Sequence, residues 1–221
     1  MTTVVVKLGG AVAGDSADAI LALAQRHRVC VVHGAGLQIS AEMSRLAIPR
    51  EFVEGNRVTS VEGLEVVRRC LAAVNADVCA ALGKLAVPLF GDEISLRATP
   101  MPELGLVGEA LPSRPQAVVD ALAAGRIPVV SPLASGPLNV NADDAASALA
   151  IGLGAERLSF LTDVPGLLLG GAVARSIAAS EAEHLLETGV LVGGIVPKLR
   201  AAIAAARGGV EAEIGTTAVV A

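Results

Sequence analysis

Short β-branched runs alternate with longer helical stretches along this chain, and that alternation most restricts what it can fold into. Thr3 to Leu8, Arg28 to His33, Ile127 to Pro132 and Arg157 to Thr162 read as strands. Helical patterns fall at Ser16 to Arg26, Leu37 to Leu46, Val61 to Leu82, Ser113 to Ala124 and Ala142 to Leu153. Two more, Glu181 to Glu187 and Pro197 to Arg207, precede one or two short closing strands. Strands separated by helices imply a mostly parallel sheet covered on both faces, an α/β fold. Ala86 to Phe90 and Ile94 to Ala98 read as a hairpin that Leu106 and Val107 extend into a small side sheet. Ser113 is the expected cap of its helix, with Gly125 closing it, and Thr59 the expected cap of the long helix.

In open parallel sheets a ligand binds beyond the carboxyl ends of the strands. Four turns follow strands here: KLGG at Lys7, HGAG at His33, SPLA at Ser131 and LTDVPG at Leu161. The pattern therefore predicts that they converge on one edge. Lys7 closes a buried-strand pattern, where an ammonium is costly without an anion beside it. Gly9 and Gly10 allow close approach of backbone N–H groups to a phosphate, and HGAG opens a helix whose first N–H groups can hold an anion. His33 reads as a turn residue, not a catalyst.

Three further segments carry chemistry. Arg57, in EGNRVTS, has the planar fork that suits a carboxylate. NVNADD places Asn139 and Asn141 just before a helix and Asp143 and Asp144 in its first turn. Helix capping explains Asn141 and Asp144 but leaves Asn139 without a role. Lys198 follows GGIVP at a helix start, where a cation opposes the helix dipole unless an anion lies in front of it.

Composition excludes several other classes. Seventeen basic against 22 acidic residues give a net charge of −5, with no basic stripe for nucleic acid. Only three phenylalanines and no Trp or Tyr leave no stacking platform for single strands. The apolar runs are too short to span a bilayer and no leader precedes Thr3, so a soluble, cytoplasmic protein is expected. Cys30, Cys70 and Cys79 are odd in number and lack a C-x-x-C pair, which fits free thiols in a reducing compartment.

In this order the motifs VVVKLGG, VVHGAG, EGNRVT, LVGEA, IPVVSPLA, NVNADDAASALA, LTDVPGLL and GGIVPK resemble the amino acid kinase family. Within it they resemble the branch acting on N-acetyl-L-glutamate. The resemblance implies an open αβα sandwich with a mostly parallel central sheet. It also implies an acyl-amino-acid lobe over residues 1–153 and a shortened nucleotide lobe over 154–221. The implied reaction is ATP-dependent phosphorylation of the side-chain carboxylate of N-acetyl-L-glutamate, in arginine biosynthesis, with Mg²⁺ held mainly by the nucleotide.

By position, Lys7 and Lys198 would flank the transferring phosphoryl group, with Asp143 orienting them. Gly34, Ala35, Gly36, Arg57 and Asn139 would bind the substrate. Gly9, Gly10, Asp163, Val164, Pro165, Gly166, Leu167, Leu168, Val190, Leu191 and Val192 would line the nucleotide. The helix about 61–82 has one apolar side and is the expected homodimer contact, with ordinary core packing as the other reading. The expected partners are small molecules, not nucleic acid or membrane.

Three departures from the family pattern bear on the expectations. Ala35 stands in the second turn, which the family pattern usually makes all glycine, and its methyl would crowd the substrate or phosphate unless φ is negative there. The chain opens at the first strand, without the helix of arginine-inhibited relatives, so a dimer insensitive to arginine is expected. After Arg207 it is about one helical segment shorter than the pattern, which would trim a flank of the nucleotide lobe. Two competing functions remain: a kinase for another acyl-amino acid, such as carrier-linked aminoadipate in lysine biosynthesis, and a non-catalytic nucleotide- or metabolite-binding regulator. Retention of Lys7, Asp143 and Lys198 speaks against the second.

Overall fold

The computed structural model describes residues 1–9, 16–162 and 164–221. In chain order, β1 (Thr3–Leu8) and α1 (Ala17–Ala24) lead to β2 (Arg28–His33) and α2 (Gly36–Arg45). A short hairpin, β3 (Phe52–Val53) and β4 (Asn56–Arg57), precedes the long α3 (Val61–Leu82). Next come β5 (Ala86–Phe90), β6 (Ala98–Pro100), β7 (Val107–Ala110), α4 (Gln116–Ala123) and β8 (Ile127–Ser131). β9 (Leu133–Ala134) and β10 (Leu138–Val140) run into α5 (Ala142–Leu153) and then β11 (Arg157–Leu161). A second hairpin, β12 (Leu168–Leu169) and β13 (Ala172–Val173), is followed by β14 (Ser176–Ala178) and α6 (Ala179–Glu187). α7 (Ile195–Arg207), β15 (Glu211–Ile214) and β16 (Thr217–Val220) close the chain.

Eight strands form one sheet in the order β14-β16-β15-β11-β1-β2-β8-β5, parallel except between β15 and β16. β11, β1, β2 and β8 are consecutive neighbours and parallel, so their carboxyl ends share one edge, as the four strand-end turns predict. The expected hairpin at 86–98 is corrected. β5 instead pairs in parallel with β8 as the sheet's edge, and β6 joins β7, β10 and β9 in a separate four-stranded sheet. Ile94 to Arg97 is not strand but a turn that carries the chain from one sheet to the other.

Side chains alternate across the central strands, and each parity has its own core. Val4, Val6, Leu8, Val29 and Val31 pack with Ile20, Met43 and the α3 residues Leu64, Val67 and Leu71. Val5, Val32 and Val130 pack on the opposite face with Leu149, Leu199 and Ile203 of α5 and α7. Lys7 shares the parity of Val5. It therefore emerges at the end of β1 on the face that α5 covers.

The apolar side of α3 is spent on this chain's own core, with Leu64, Val67, Leu71, Val74 and Val78 all buried. Ser60, not Thr59, caps it, by accepting from the Gly63 N–H at 3.0 Å. Nor does Ser113 cap α4: the residue before that helix is Pro115, and the Ser113 hydroxyl donates to Leu111 O instead. Cys30, Cys70 and Cys79 are free, and burial pushes the Cys30 thiol up to about 12. Among the described residues no helix is long and apolar enough to cross a membrane.

Candidate active site

A cavity of about 450 Å³ opens at the carboxyl edge of the sheet. Lys7, Gly9, Gly34, Ala35, Gly36, Arg57, Asn139, Asp143 and Lys198 all line it. Residues from β1, the β2–α2 turn, β4, β10, α5 and α7 thus meet at one place, although they span most of the sequence.

Its centre is an ion pair. Lys7 Nζ lies 2.8 Å from Asp143 Oδ1, and each side chain is only 7% exposed. Asp143 sits in the first turn of α5, whose N-cap Asn141 accepts the Asp143 N–H at 2.8 Å. The helix end thus fixes the carboxylate, and strand parity brings the ammonium to it. The two charges are in direct contact, so the carboxylate is engaged by the ammonium. Lys198 reaches the cavity from the first turn of α7, where its Nζ donates to Gly194 O at 3.0 Å.

On the other wall, the buried Arg57 guanidinium donates through Nη2 to Ser40 Oγ at 2.8 Å and Gly36 O at 3.2 Å. It stacks over the Phe52 ring, 4.4 Å from the centroid, as the β3–β4 register of Phe52 opposite Arg57 requires. Burial holds its pKa below the usual guanidinium value, with the nearby Arg50 charge adding to the effect. Thr59 Oγ donates to Arg57 O at 2.7 Å and accepts from Asn139 Nδ2 at 3.1 Å. Gly105 permits this arrangement. Its φ is +82°, and a Cβ there would lie 2.4 Å from Thr59 O, so only glycine lets the two segments pair.

Ala35 has φ −141°, so its methyl sits in the glycine-rich turn without left-handed strain. Two of the N–H groups expected to face a phosphate are already engaged. Gly34 N–H donates to Leu8 O at 3.2 Å and Gly9 N–H to Leu161 O at 3.3 Å. Among the described residues, the first-turn N–H groups of α2, starting at Gly36, remain as anion donors. His33 is fully buried. Its Nε2 meets Ser131 Oγ and Asn75 Nδ2, both at 3.1 Å, and burial holds its pKa down at about 4. The imidazole is thus neutral and hydrogen-bonded beneath the turn.

Of the residues expected to line the nucleotide, Gly9 lies in this cavity, whereas Val164 to Leu168 and Val190 to Val192 lie outside it. Val164, Leu168, Val190 and Val192 are exposed apolar side chains, Pro165 is exposed and Leu191 half-buried. Gly166 and Leu167 are buried, and the Leu167 side chain packs into the core, so it offers a nucleotide no surface. Gly10 and Asp163 lie outside the described residues.

Sequence reasoning missed Ser40, Thr59 as a hydrogen-bonding relay, and Phe52. The i, i+4 spacing of Gly36 and Ser40 on one helix was the available signal for the first. Asp144 was read only as a first-turn acidic residue, whereas its pKa rises to about 7, chiefly through burial and then the adjacent Asp143 charge. Arg200 opposes that rise and Glu109 adds to it.

A doubly covered parallel sheet, with two lysines, a buried carboxylate and an arginine around one cavity, defines a class. It is an α/β protein with three cationic side chains and one carboxylate gathered at the carboxyl edge of its sheet. The profile of the amino acid kinase family matches residues 2–216, and the chain belongs to that family. It is 44% identical to acetylglutamate kinase of Rubrobacter xylanophilus, covering 97% of this chain and 88% of that one. Against acetylglutamate kinase of Geobacillus kaustophilus the identity is 40%, over 92% and 85% of the two chains. Among solved structures, smu.665 from Streptococcus mutans UA159 superposes with a TM-score of 0.90 at 26% identity, covering 99% of this chain and 98% of that one.

Proposed function

We propose that this chain is an ATP-dependent kinase that phosphorylates the side-chain carboxylate of N-acetyl-L-glutamate, giving an acyl phosphate for arginine biosynthesis. The observation that carries the reading is the shared cavity: the Lys7–Asp143 pair and Lys198 face the same space as Arg57 and Asn139. The acetylglutamate kinases at 44% and 40% identity support the same substrate.

The chemistry follows from charge. A carboxylate of pKa about 4.3 is ionised at neutral pH, so the nucleophile needs no general base. The obstacle is repulsion between two anions and the negative charge spread over the transferring phosphoryl oxygens. Lys7 and Lys198 neutralise that charge, and Asp143 holds the Lys7 ammonium in place. Arg57 binds a carboxylate of the acyl-amino acid, with Asn139 and the α2 N-terminus aligning the rest. The carboxylate oxygen forms a bond to the γ-phosphorus as the bond to the ADP oxygen breaks. No step needs an acid or base from the protein, which agrees with a neutral, structural His33.

ATP use belongs to the family. Among the described residues no three His, Cys, Asp or Glu side chains gather to hold a metal, and Asp143, the cavity's carboxylate, is committed to Lys7. A Mg²⁺ ion would therefore be held mainly by the nucleotide phosphates, where it adds positive charge between them. The exposed Val164, Leu168, Val190 and Val192 fit the base and ribose of the nucleotide, in a lobe formed by residues 154–221 beside an acyl-amino-acid lobe of 1–153. A cytoplasmic homodimer would form through the outward face of α3, where Ala72, Ala73, Ala76 and Ala80 are exposed. Light scattering at micromolar concentration tests the dimer, and a monomer mass would refute it.

The assay for the function is hydroxylamine trapping with Mg-ATP. Hydroxamate forming with N-acetyl-L-glutamate, and at least tenfold more slowly with other acyl-amino acids, supports the reading. Product with a different acyl-amino acid alone, or ATP binding without turnover, overturns it.

A further inference from the structure

The β3–β4 hairpin carries Arg57 and Phe52, so its position decides where a substrate carboxylate sits. Its two-residue tip is strained. Glu54 has φ +49° and Gly55 φ +86°, the left-handed pair that a tight hairpin turn requires. Glycine adopts that conformation freely, whereas a side chain there costs about 1 kcal/mol. A strained non-glycine residue persists where surrounding contacts hold it.

Those contacts come from the two helices that carry the ionic groups of the cavity. Arg200 of α7 donates through Nη1 to Glu54 O at 3.2 Å, and its guanidinium lies 3.7 Å from Glu54 Oε2. Asn141, the cap of α5, donates through Nδ2 to Gly55 O at 3.2 Å while its oxygen caps Asp143 N–H. Pro197 lies beneath Gly55, its Cβ 3.6 Å from where a Gly55 Cβ would stand. Both tip carbonyls thus accept from side chains rooted beside Lys198 and Asp143.

We propose that Arg200 and Asn141 are positioning residues that latch the hairpin tip across the cavity. The latch holds Arg57 in register with Lys198 and Asp143, and so holds the acceptor carboxylate against the phosphoryl site. The proposal rests on the reading of the cavity as a phosphoryl-transfer site. Surface ion pairs contribute little by themselves, so the carbonyl hydrogen bonds, not the Glu54 carboxylate, are the working contacts.

Steady-state kinetics and amide exchange on purified Arg200→Ala, Asn141→Ser and Glu54→Gln variants test it. Serine keeps an oxygen to cap α5 but cannot reproduce the amide donor. Arg200→Ala and Asn141→Ser should each raise KM for N-acetyl-L-glutamate about five- to tenfold, the worth of one such hydrogen bond. KM for ATP should stay within twofold and the melting temperature near that of the wild type. Arg200→Lys should recover part of the loss, and Glu54→Gln, which keeps its carbonyl, should stay within twofold throughout.

Hydrogen exchange over residues 52–57 gives a readout independent of the substrate, and Arg200→Ala should speed it at least threefold. Unchanged exchange with unchanged KM overturns the latch. So does a parallel rise in both KM values with a lowered melting temperature, which would make Arg200 merely structural. A wild type inactive on N-acetyl-L-glutamate, with the exchange effect present, refutes the substrate assignment and leaves the latch standing.

Discussion

Lys7 Nζ and Asp143 Oδ1 meet at 2.8 Å, the ammonium from the end of β1 and the carboxylate from the first turn of α5, both almost wholly buried. Neither charge is affordable there alone. Asp143→Asn should destabilise the fold by about 3–5 kcal/mol, because it strands the Lys7 charge in the interior. The double variant Lys7→Met/Asp143→Leu should recover most of that stability and none of the activity. Urea unfolding alongside the hydroxamate assay separates the two, and a double variant as unstable as Asp143→Asn would refute the pairing.

The planar fork of Arg57, proposed to bind the substrate carboxylate, is already organised by Ser40, Gly36 and the Phe52 ring. Arg57→Lys keeps the charge but loses the fork and the stacking plane. KM for N-acetyl-L-glutamate should rise about tenfold or more, with KM for ATP little changed. An unchanged KM would place the substrate carboxylate elsewhere.

Burial and the Asp143 charge raise the Asp144 pKa to about 7, against an ordinary value of 3.8. Between those values the folded protein binds a proton that the unfolded chain has released. The Asp144 contribution to stability is therefore fully present below about pH 4, falls as pH rises, and is lost above about pH 7. His33 works in the opposite direction. Its pKa is lowered from 6.5 to about 4, so its contribution is present above pH 6.5 and lost as pH falls through 4. Asp144→Asn removes the Asp144 contribution alone. Its melting temperature relative to wild type should climb from pH 5 to about pH 7 and then level off, and a flat difference throughout would show that Asp144 ionises normally.

The elements that set the sheet were legible because β-branched runs and helical periodicity are local signals. Lys7 drew attention for a reason that the structure repeats, a charge at the end of a fully buried strand. The 86–98 segment misled because two short apolar runs look alike whether they pair with each other or with distant strands. β5 finds its partner in β8, across an intervening small sheet and α4, and no local pattern encodes that choice. Arg200, and the hydrogen-bonding role of Thr59, were missed for a related reason. Each acts by contacting a backbone or side chain far along the chain, Glu54 O and Asn139 respectively, and their own neighbourhoods carry no unusual pattern. The engaged N–H groups of Gly9 and Gly34 were equally out of reach, since a glycine-rich turn looks the same whether its donors face a phosphate or a neighbouring strand.

Lys198 stands in the first turn of α7, where a cation opposes the helix dipole. If its role is to stabilise the transferring phosphoryl group, Lys198→Ala should lower kcat about 10²- to 10³-fold. The melting temperature should not fall, because the substitution removes an unfavourable charge from a helix N-terminus. A kcat within threefold of wild type would remove Lys198 from the mechanism.

The central claim is that a side-chain carboxylate oxygen attacks the γ-phosphorus of ATP in the cavity between Lys7 and Lys198. N-acetyl-L-glutamate labelled with ¹⁸O in its side-chain carboxylate tests it directly, with hydroxylamine releasing the phosphate for mass analysis. The account predicts inorganic phosphate carrying one ¹⁸O atom, transferred from the substrate through the acyl phosphate. Phosphate without label, released at the same rate with or without the substrate, would show that water is the acceptor and would contradict the account.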